Sequence, residues 1–376
     1  MKKNFVVGID GNEANISQRV GSNVYAFELL AAMDKYLQHK PLFSVKVFLS
    51  HDPVADMPPE RKGWEYVVVP HAPYWTQWKL PLALREHADL DFFFSPGHYL
   101  PSISPVPMAA VFMDLAYELY PQYFRKKDLY QLKVLSRWSA RQSKHLFAIS
   151  ESTKEDIFRL YGREPSDITT AYPAVEVVKP LSSAKVQEVL QKLEIHGEYL
   201  LFVGTLQPRK NLVRLIRAFE VLKRNGWSGK LVLAGKIGWQ AEGIMSALLS
   251  SPAQQDIVHL GYVSTEEKTA LIQAAECLVL PGLYEGFGIP PLEAIQLKTI
   301  PVVSNTSSLP EVVGESGPKF DPLSESSMIT TLEEILSWSP QKKSAVLEKM
   351  QLHSKQFSWE KTAAIICEQI HKLVNV

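Results

Sequence analysis

Cysteine is almost missing from this chain: Cys277 and Cys367 are the two in 376 residues, both in apolar surroundings and far apart. That excludes a disulfide framework and a cysteine-built zinc site. The ten histidines show neither H-x3-H nor H-E-x-x-H spacing, so no histidine zinc motif is present either. No run approaches the roughly 20 apolar residues that a membrane-crossing helix requires. Met1-Lys2-Lys3-Asn4 leads into an apolar run too short for a secretory signal, which makes the cytoplasm the expected location. Lys plus Arg and Asp plus Glu both number 40, and a chain without net charge carries no footprint for nucleic acid. Walker A and G-x-S-x-G are absent, and the loop after the first apparent strand lacks G-x-G-x-x-G. One D-x-D occurs, Asp89-Leu90-Asp91, but it leads into Phe92-Phe93-Phe94, and solvation of a strand end accounts for it better than a metal.

What is present is a regular alternation of short apolar runs with helical segments, the signature of an α/β chain with parallel sheets and helices on both faces. The length suits two domains. The first series of strands starts at Phe5-Val6-Val7-Gly8-Ile9-Asp10 and ends near 167–171, and a Pro- and Ser-containing stretch at 173–183 reads as the link. The second starts at Tyr199-Leu200-Leu201-Phe202-Val203. The expected division is 1–180, 181–355 and a last segment 356–376, whose helix carries apolar residues at helical spacing (Ala363, Ile366, Ile370, Leu373).

Chemistry concentrates in the second half. Tyr284-Glu285-Gly286-Phe287-Gly288-Ile289-Pro290-Pro291-Leu292-Glu293 sets two carboxylates eight positions apart across a Gly-rich turn. The run Cys277-Leu278-Val279-Leu280 before it reads as a strand, and Pro290 and Pro291 suit a first helical turn, where a missing N–H costs nothing. Glu285 is thus expected in a loop at the carboxyl end of a strand and Glu293 early on the next helix, the edge at which open α/β sheets bind ligands. Upstream, Gly204-Thr205-Leu206-Gln207-Pro208-Arg209-Lys210-Asn211 follows another strand and precedes a helix at 212–224. Arg209 supplies a planar fork for phosphate and Lys210 a compact charge, while Asn211 is a candidate helix cap.

These segments, with Gly235-Lys236…Gly238-Trp239, His259-Leu260-Gly261-Tyr262-Val263 and Ser307-Ser308-Leu309-Pro310-Glu311-Val312, occur in an order and spacing that resembles family 4 of the retaining glycosyltransferases, bacterial mannosyl- and glycosyltransferases included. The resemblance covers about 199–314. It implies the GT-B fold: two Rossmann-like, doubly wound domains facing across a cleft, with the last helix returning to the first. It also implies transfer of a sugar from a nucleoside-diphosphate donor to a hydroxyl, with GDP-mannose slightly favoured over a UDP-sugar and no metal or other cofactor. On that basis Arg209 and Lys210 match the diphosphate pair, Glu285 the carboxylate on the donor sugar, and Glu293 the one on the ribose. Gly204 opens the phosphate-side loop, the backbone at Tyr262 and Val263 lies against the base, and the amides of Phe287, Gly288 and Ile289 meet phosphate or sugar.

The first half is less explicit. Similar enzymes close a Gly-rich loop over the donor phosphate where this chain has Gly21 and Ser22; a plain loop capped by Ser22 or Asn23 is an equal reading. Similar enzymes also carry His-Asp after the strand at 107–112, whereas this chain has Met113-Asp114, so the histidine's sugar contact has no counterpart in sequence. Asp114 is a candidate for sugar or acceptor hydroxyls and equally for a structural cap. The helix at 125–144 is basic, with seven Lys or Arg against the lone Asp128. Such a face is either solvated or rests on anionic lipid at the inner side of a membrane, which suits a lipid-linked acceptor. Two other functions remain compatible with the sequence: a GT-B sugar-nucleotide epimerase, and a non-catalytic nucleotide-sugar binder.

Overall fold

The computed structural model describes residues 5–375; the Met1-Lys2-Lys3-Asn4 segment read above for a signal lies outside them, as does Val376. The chain forms two units, one of residues 1–173 together with 357–376, the other of 174–356.

The first unit is built on β1 (Val6–Asp10), β2 (Ser44–Leu49), β3 (Trp64–Val68), β4 (Phe92–Ser95), β5 (Met108–Phe112), β6 (His145–Ala148) and β7 (Ile168–Thr170). They pair in the order β3-β2-β1-β4-β5-β6-β7, every pair parallel. Strands such as Phe92–Ser95 are buried on both faces, which is why they read as continuous apolar runs instead of alternating ones. Helices Trp75–Glu86, Lys126–Gln142 and Glu151–Tyr161 supply one shared apolar cluster with β4 and β5. The terminal helix Trp359–Val374 belongs to this unit and packs on Ser22–His39: Trp359 meets Tyr25 edge-on at 5.4 Å, and the Tyr36 hydroxyl donates to Glu368 at 2.8 Å.

The second unit has β8 (Tyr199–Val203), β9 (Lys230–Ala234), β10 (Ile257–Gly261), β11 (Cys277–Leu280), β12 (Pro301–Ser304) and β13 (Lys319–Phe320), all parallel in the order β10-β9-β8-β11-β12-β13. Counted within the unit this is 3-2-1-4-5-6, the doubly wound order. The stretch expected as a link joins this unit: Val178 N–H donates to Gln296 Oε1 and Leu181 N–H to Gln273 Oε1. Each sheet has one place where strand order reverses, between β1 and β4 and between β8 and β11. There neighbouring loops diverge to opposite faces and leave a crevice at the carboxyl edge.

Candidate active site

The loops that leave β8 and β11, the two strands flanking the second sheet's reversal, carry the charged residues picked out in sequence. After β8 the chain makes a short 3-10 turn, Pro208–Lys210, which sets Arg209 and Lys210 at the strand end. Lys210 Nζ donates to both Glu285 oxygens, at 2.7 and 2.8 Å, and Arg209 reaches Oε2 at 3.4 Å as well as the Tyr284 carbonyl. Glu285 is only 8% exposed. Burial pushes its carboxyl up, but the charges and hydrogen bonds of Lys210 and Arg209 outweigh that and hold it below the ordinary carboxylate range. A buried anion is stable there because two cations share it.

The two loops are laced together. Leu283 N–H donates to Arg209 O, Glu285 N–H to Ser307 Oγ at 2.9 Å, and Ser308 Oγ to the carbonyls of Glu285 and Phe287. Asn211 corrects an expectation. It sits in the left-handed region at φ +59, makes no side-chain cap, and spends its amide on the Pro281 and Pro322 carbonyls, at 3.0 and 2.8 Å. A helix cap needs an extended residue whose oxygen reaches the amides ahead, and this conformation does not provide one. Asn211 instead ties the cationic loop to the acidic one.

Glycines make the close approaches possible. A Cβ on Gly235 would sit 1.9 Å from Gly204 O, so the ends of β8 and β9 approach this closely only because Gly235 carries no side chain. Gly288, at φ +133, precedes helix Ile289–Gln296 in a conformation that favours glycine and turns the chain from the buried Phe287 into that helix. Ile289 is 37% exposed.

Glu293 lies on the helix as expected, buried, with Lys268 Nζ on its Oε1 at 2.5 Å. Its Oε2 is buried and has no hydrogen-bond partner among the described residues. Lys268 went unnoticed in sequence; nothing in its spacing from Glu293 marks it. Tyr262 stands exposed after β10, with the Lys236 ammonium 4.9 Å from its ring centroid, and Val263 beside it is half-buried.

At the first sheet's edge the picture is different. Gly21 (φ +56) precedes helix Ser22–His39 without a side-chain cap, so neither Ser22 nor Asn23 caps it; both donate to Glu13 Oε2, at 3.2 and 2.5 Å. Asp114 follows β5 and accepts the Ala116 N–H at 3.0 Å, the turn that starts helix Ala116–Leu119. His98, on the loop after β4, accepts the Met113 N–H on Nε2 at 3.3 Å. Thus an imidazole does reach the strand end where Met113 replaces a histidine, though from another loop. Asp10, at the end of β1, is buried and raised by desolvation to about 6, partly offset by the Asn12 N–H it accepts. On the basic helix, Lys133 and Arg137 pair with Glu118, while Arg125, Lys126, Lys127 and Arg141 are exposed beside Tyr130 and Val134. Among the described residues, no helix is long and apolar enough to cross a membrane, and no three His, Cys, Asp or Glu side chains form a metal-binding group.

Two Rossmann-like units with this strand order define an α/β protein of the GT-B fold, and solved structures agree. Sucrose-phosphate synthase from Thermosynechococcus elongatus superposes with a TM-score of 0.73 at 15% identity, covering 98% of this chain and 99% of that one. Anabaena HepE, solved in complex with UDP-glucose, gives 0.71 at 15% identity over 98% and 99%. In sequence, residues 187–346 match the model of the glycosyl transferases group 1. The O-antigen chain mannosyltransferase B of Escherichia coli is 31% identical over 282 residues, 74% of this chain and 73% of that protein. The serotype-specific mannosyltransferase WbdA of Escherichia coli is 29% identical over 241 residues, 61% of this chain but only 29% of that longer protein. The chain belongs to the group 1 glycosyl transferases.

Proposed function

We propose that this protein is a retaining, family 4 glycosyltransferase that moves mannose from GDP-mannose to a hydroxyl of a growing glycan. The observation that carries the reading is the Arg209–Lys210–Glu285 cluster at the reversal point of the second sheet. Two cations fixed at that edge suit a diphosphate and the charge that develops on it as it leaves. Gly204 opens the phosphate loop, the amides of Phe287, Gly288 and Ile289 approach phosphate or sugar, and Gly21 and Ser22 are the first unit's candidates for the donor phosphate. Glu285 takes sugar hydroxyls, Glu293 the ribose, and the Tyr262–Val263 backbone the base. Asp114 receives a sugar or acceptor hydroxyl. The mannosyltransferase relatives support the choice of sugar.

In the reaction the acceptor oxygen bonds to the anomeric carbon on the face the diphosphate leaves. The carbon–oxygen bond to phosphate breaks, and the acceptor proton passes to the departing phosphate oxygen. Positioning and charge stabilisation do the catalytic work, with no metal required. The exposed cations and Tyr130 of the helix within 125–144 rest on anionic lipid at the inner membrane face, bringing the enzyme to a lipid-linked acceptor.

A thermal-shift panel of GDP, UDP, ADP and their sugar conjugates, with and without EDTA, tests the donor. At about 100 times its dissociation constant a nucleotide adds roughly 2.7 kcal/mol, a shift of several degrees. GDP and GDP-mannose are expected to give the largest, EDTA-insensitive shift. A UDP-only response moves the donor to a UDP-sugar, and no response to any nucleotide overturns the reading. An altered sugar nucleotide released without acceptor identifies an epimerase instead.

A further inference from the structure

Glu293 is held unevenly. Its Oε1 receives the Lys268 ammonium at 2.5 Å, whereas Oε2 is buried and has no partner among the described residues. Lys268 comes from helix Thr265–Ala274, which begins directly after the Tyr262–Val263 loop. That helix is firmly started: Ser264 and Glu267 form a reciprocal capping box, with Ser264 Oγ accepting the Glu267 N–H and Glu267 Oε2 accepting the Ser264 N–H. Lys268 therefore reaches Glu293 from a fixed base.

A carboxylate with one oxygen saturated by an ammonium and the other buried and unpaired is an acceptor awaiting donors. Leaving such an oxygen unmatched is costly, and vicinal hydroxyls supply the missing hydrogen bonds. The ammonium does two things. It holds Oε1 and leaves Oε2 as the unmatched acceptor, and it neutralises an anion that would otherwise repel an incoming diphosphate.

We infer that Lys268 is a positioning residue, acting through Glu293, that makes this site select ribonucleoside over 2′-deoxyribonucleoside diphosphates. The inference rests on the assignment of Glu293 to the ribose.

The test is calorimetric titration of the whole chain with GDP, 2′-deoxy-GDP, UDP and 2′-deoxy-UDP. The wild type is expected to prefer the ribose form of whichever nucleotide binds by about tenfold or more, the scale of hydrogen bonds to a charged group. Lys268→Met is expected to compress that ratio to about threefold or less, chiefly by weakening the ribose form, as is Glu293→Gln. Lys268→Arg restores the ratio, and the double variant Lys268→Met/Glu293→Gln loses no more than either single one. Circular dichroism and melting curves accompany each variant, since a purely structural role lowers both affinities together and leaves the ratio intact. An unchanged ratio in Lys268→Met overturns the inference, as does a wild type that binds nucleotide without preferring ribose; in both cases the nucleotide reading stands. Absence of all nucleotide binding overturns the two together.

Discussion

The reversal points of the two sheets occupy the same topological place, yet their buried carboxylates are matched differently. At the second, between β8 and β11, the buried carboxylate of Glu285 is matched by Lys210 and Arg209, and Glu293 nearby is matched by Lys268. At the first, between β1 and β4, Asp10 is buried with an amide partner in Asn12, Glu13 is held by Ser22 and Asn23, and His98 takes a backbone N–H. None of these first-sheet interactions brings a cation to a carboxylate. A carboxylate paired with cations inside a protein marks a place where an incoming anion finds positive charge already fixed and desolvated. At the first edge the carboxylates of Asp10 and Glu13 meet neutral donors, and Arg19 of the same β1 loop is taken up by Asp56 at 2.6 Å.

The largest expected effect breaks the second edge. Arg209→Ala and Lys210→Ala should each lower kcat/KM by about 10²- to 10³-fold, the usual loss for one group that stabilises developing charge. Lys210→Ala carries a second cost, because it strips Glu285 of its nearest counter-ion in a buried place; about 3 kcal/mol of stability is expected to go with it. Adding Glu285→Gln should return most of that stability and none of the turnover. Urea unfolding beside steady-state kinetics separates the two; recovery of turnover by the double variant would show that the cations serve only Glu285.

Next comes the backbone contrast. Gly235→Ala drives a Cβ to 1.9 Å from the Gly204 carbonyl oxygen, a clash with main chain that no side-chain rotation relieves, and should cost about 4 kcal/mol or fail to fold. Gly21→Ala, at φ +56 with nothing within 4 Å of the new Cβ, should cost about 1 kcal/mol through backbone strain alone. Equal losses in the two variants, measured by chemical denaturation, would remove the distinction between a packed edge and an open one.

The last effect concerns Asp10 and appears only with pH, vanishing in acid. Burial raises its carboxyl from 3.8 to about 6, so the folded state binds this proton more tightly than the unfolded chain. The resulting penalty is absent below 3.8, grows as pH rises to about 6, and is constant above. Asp10→Asn keeps an oxygen for the Asn12 N–H and removes the charge. It should therefore stabilise the protein by up to about 3 kcal/mol at pH 8 and hardly at all near pH 3.5. A gain independent of pH would mean that Asp10 is not the titrating group.

The strands were legible because parallel strands buried on both faces leave uninterrupted apolar runs, as in Cys277-Leu278-Val279-Leu280, and the Gly and Pro punctuation around Glu285 marked the loop and helix. Arg209, Lys210 and Glu285 were legible because each sits within a few residues of a strand end, and Glu293 because Gly288, Pro290 and Pro291 mark the start of its helix. Asn211 was misread as a cap: its neighbours in sequence suit a helix start, while its amide is taken by the Pro281 and Pro322 carbonyls. Lys268 and His98 were invisible, since their partners Glu293 and Met113 lie 25 and 15 positions away with no periodic relation.

By itself, then, the sequence determined the α/β class, the order of strands and helices, and which charged residues stand at strand ends, because those properties depend on local periodicity and on turn chemistry within a few residues. The pairing of Lys210 with Glu285, of Lys268 with Glu293, and of His98 with the Met113 amide was decided only in three dimensions. Strand order, β8 beside β11 and β4 beside β5, brings the loops of the first and third pairs together, and packing of helix Thr265–Ala274 against Ile289–Gln296 makes the second; both are properties of how whole sheets and helices pack.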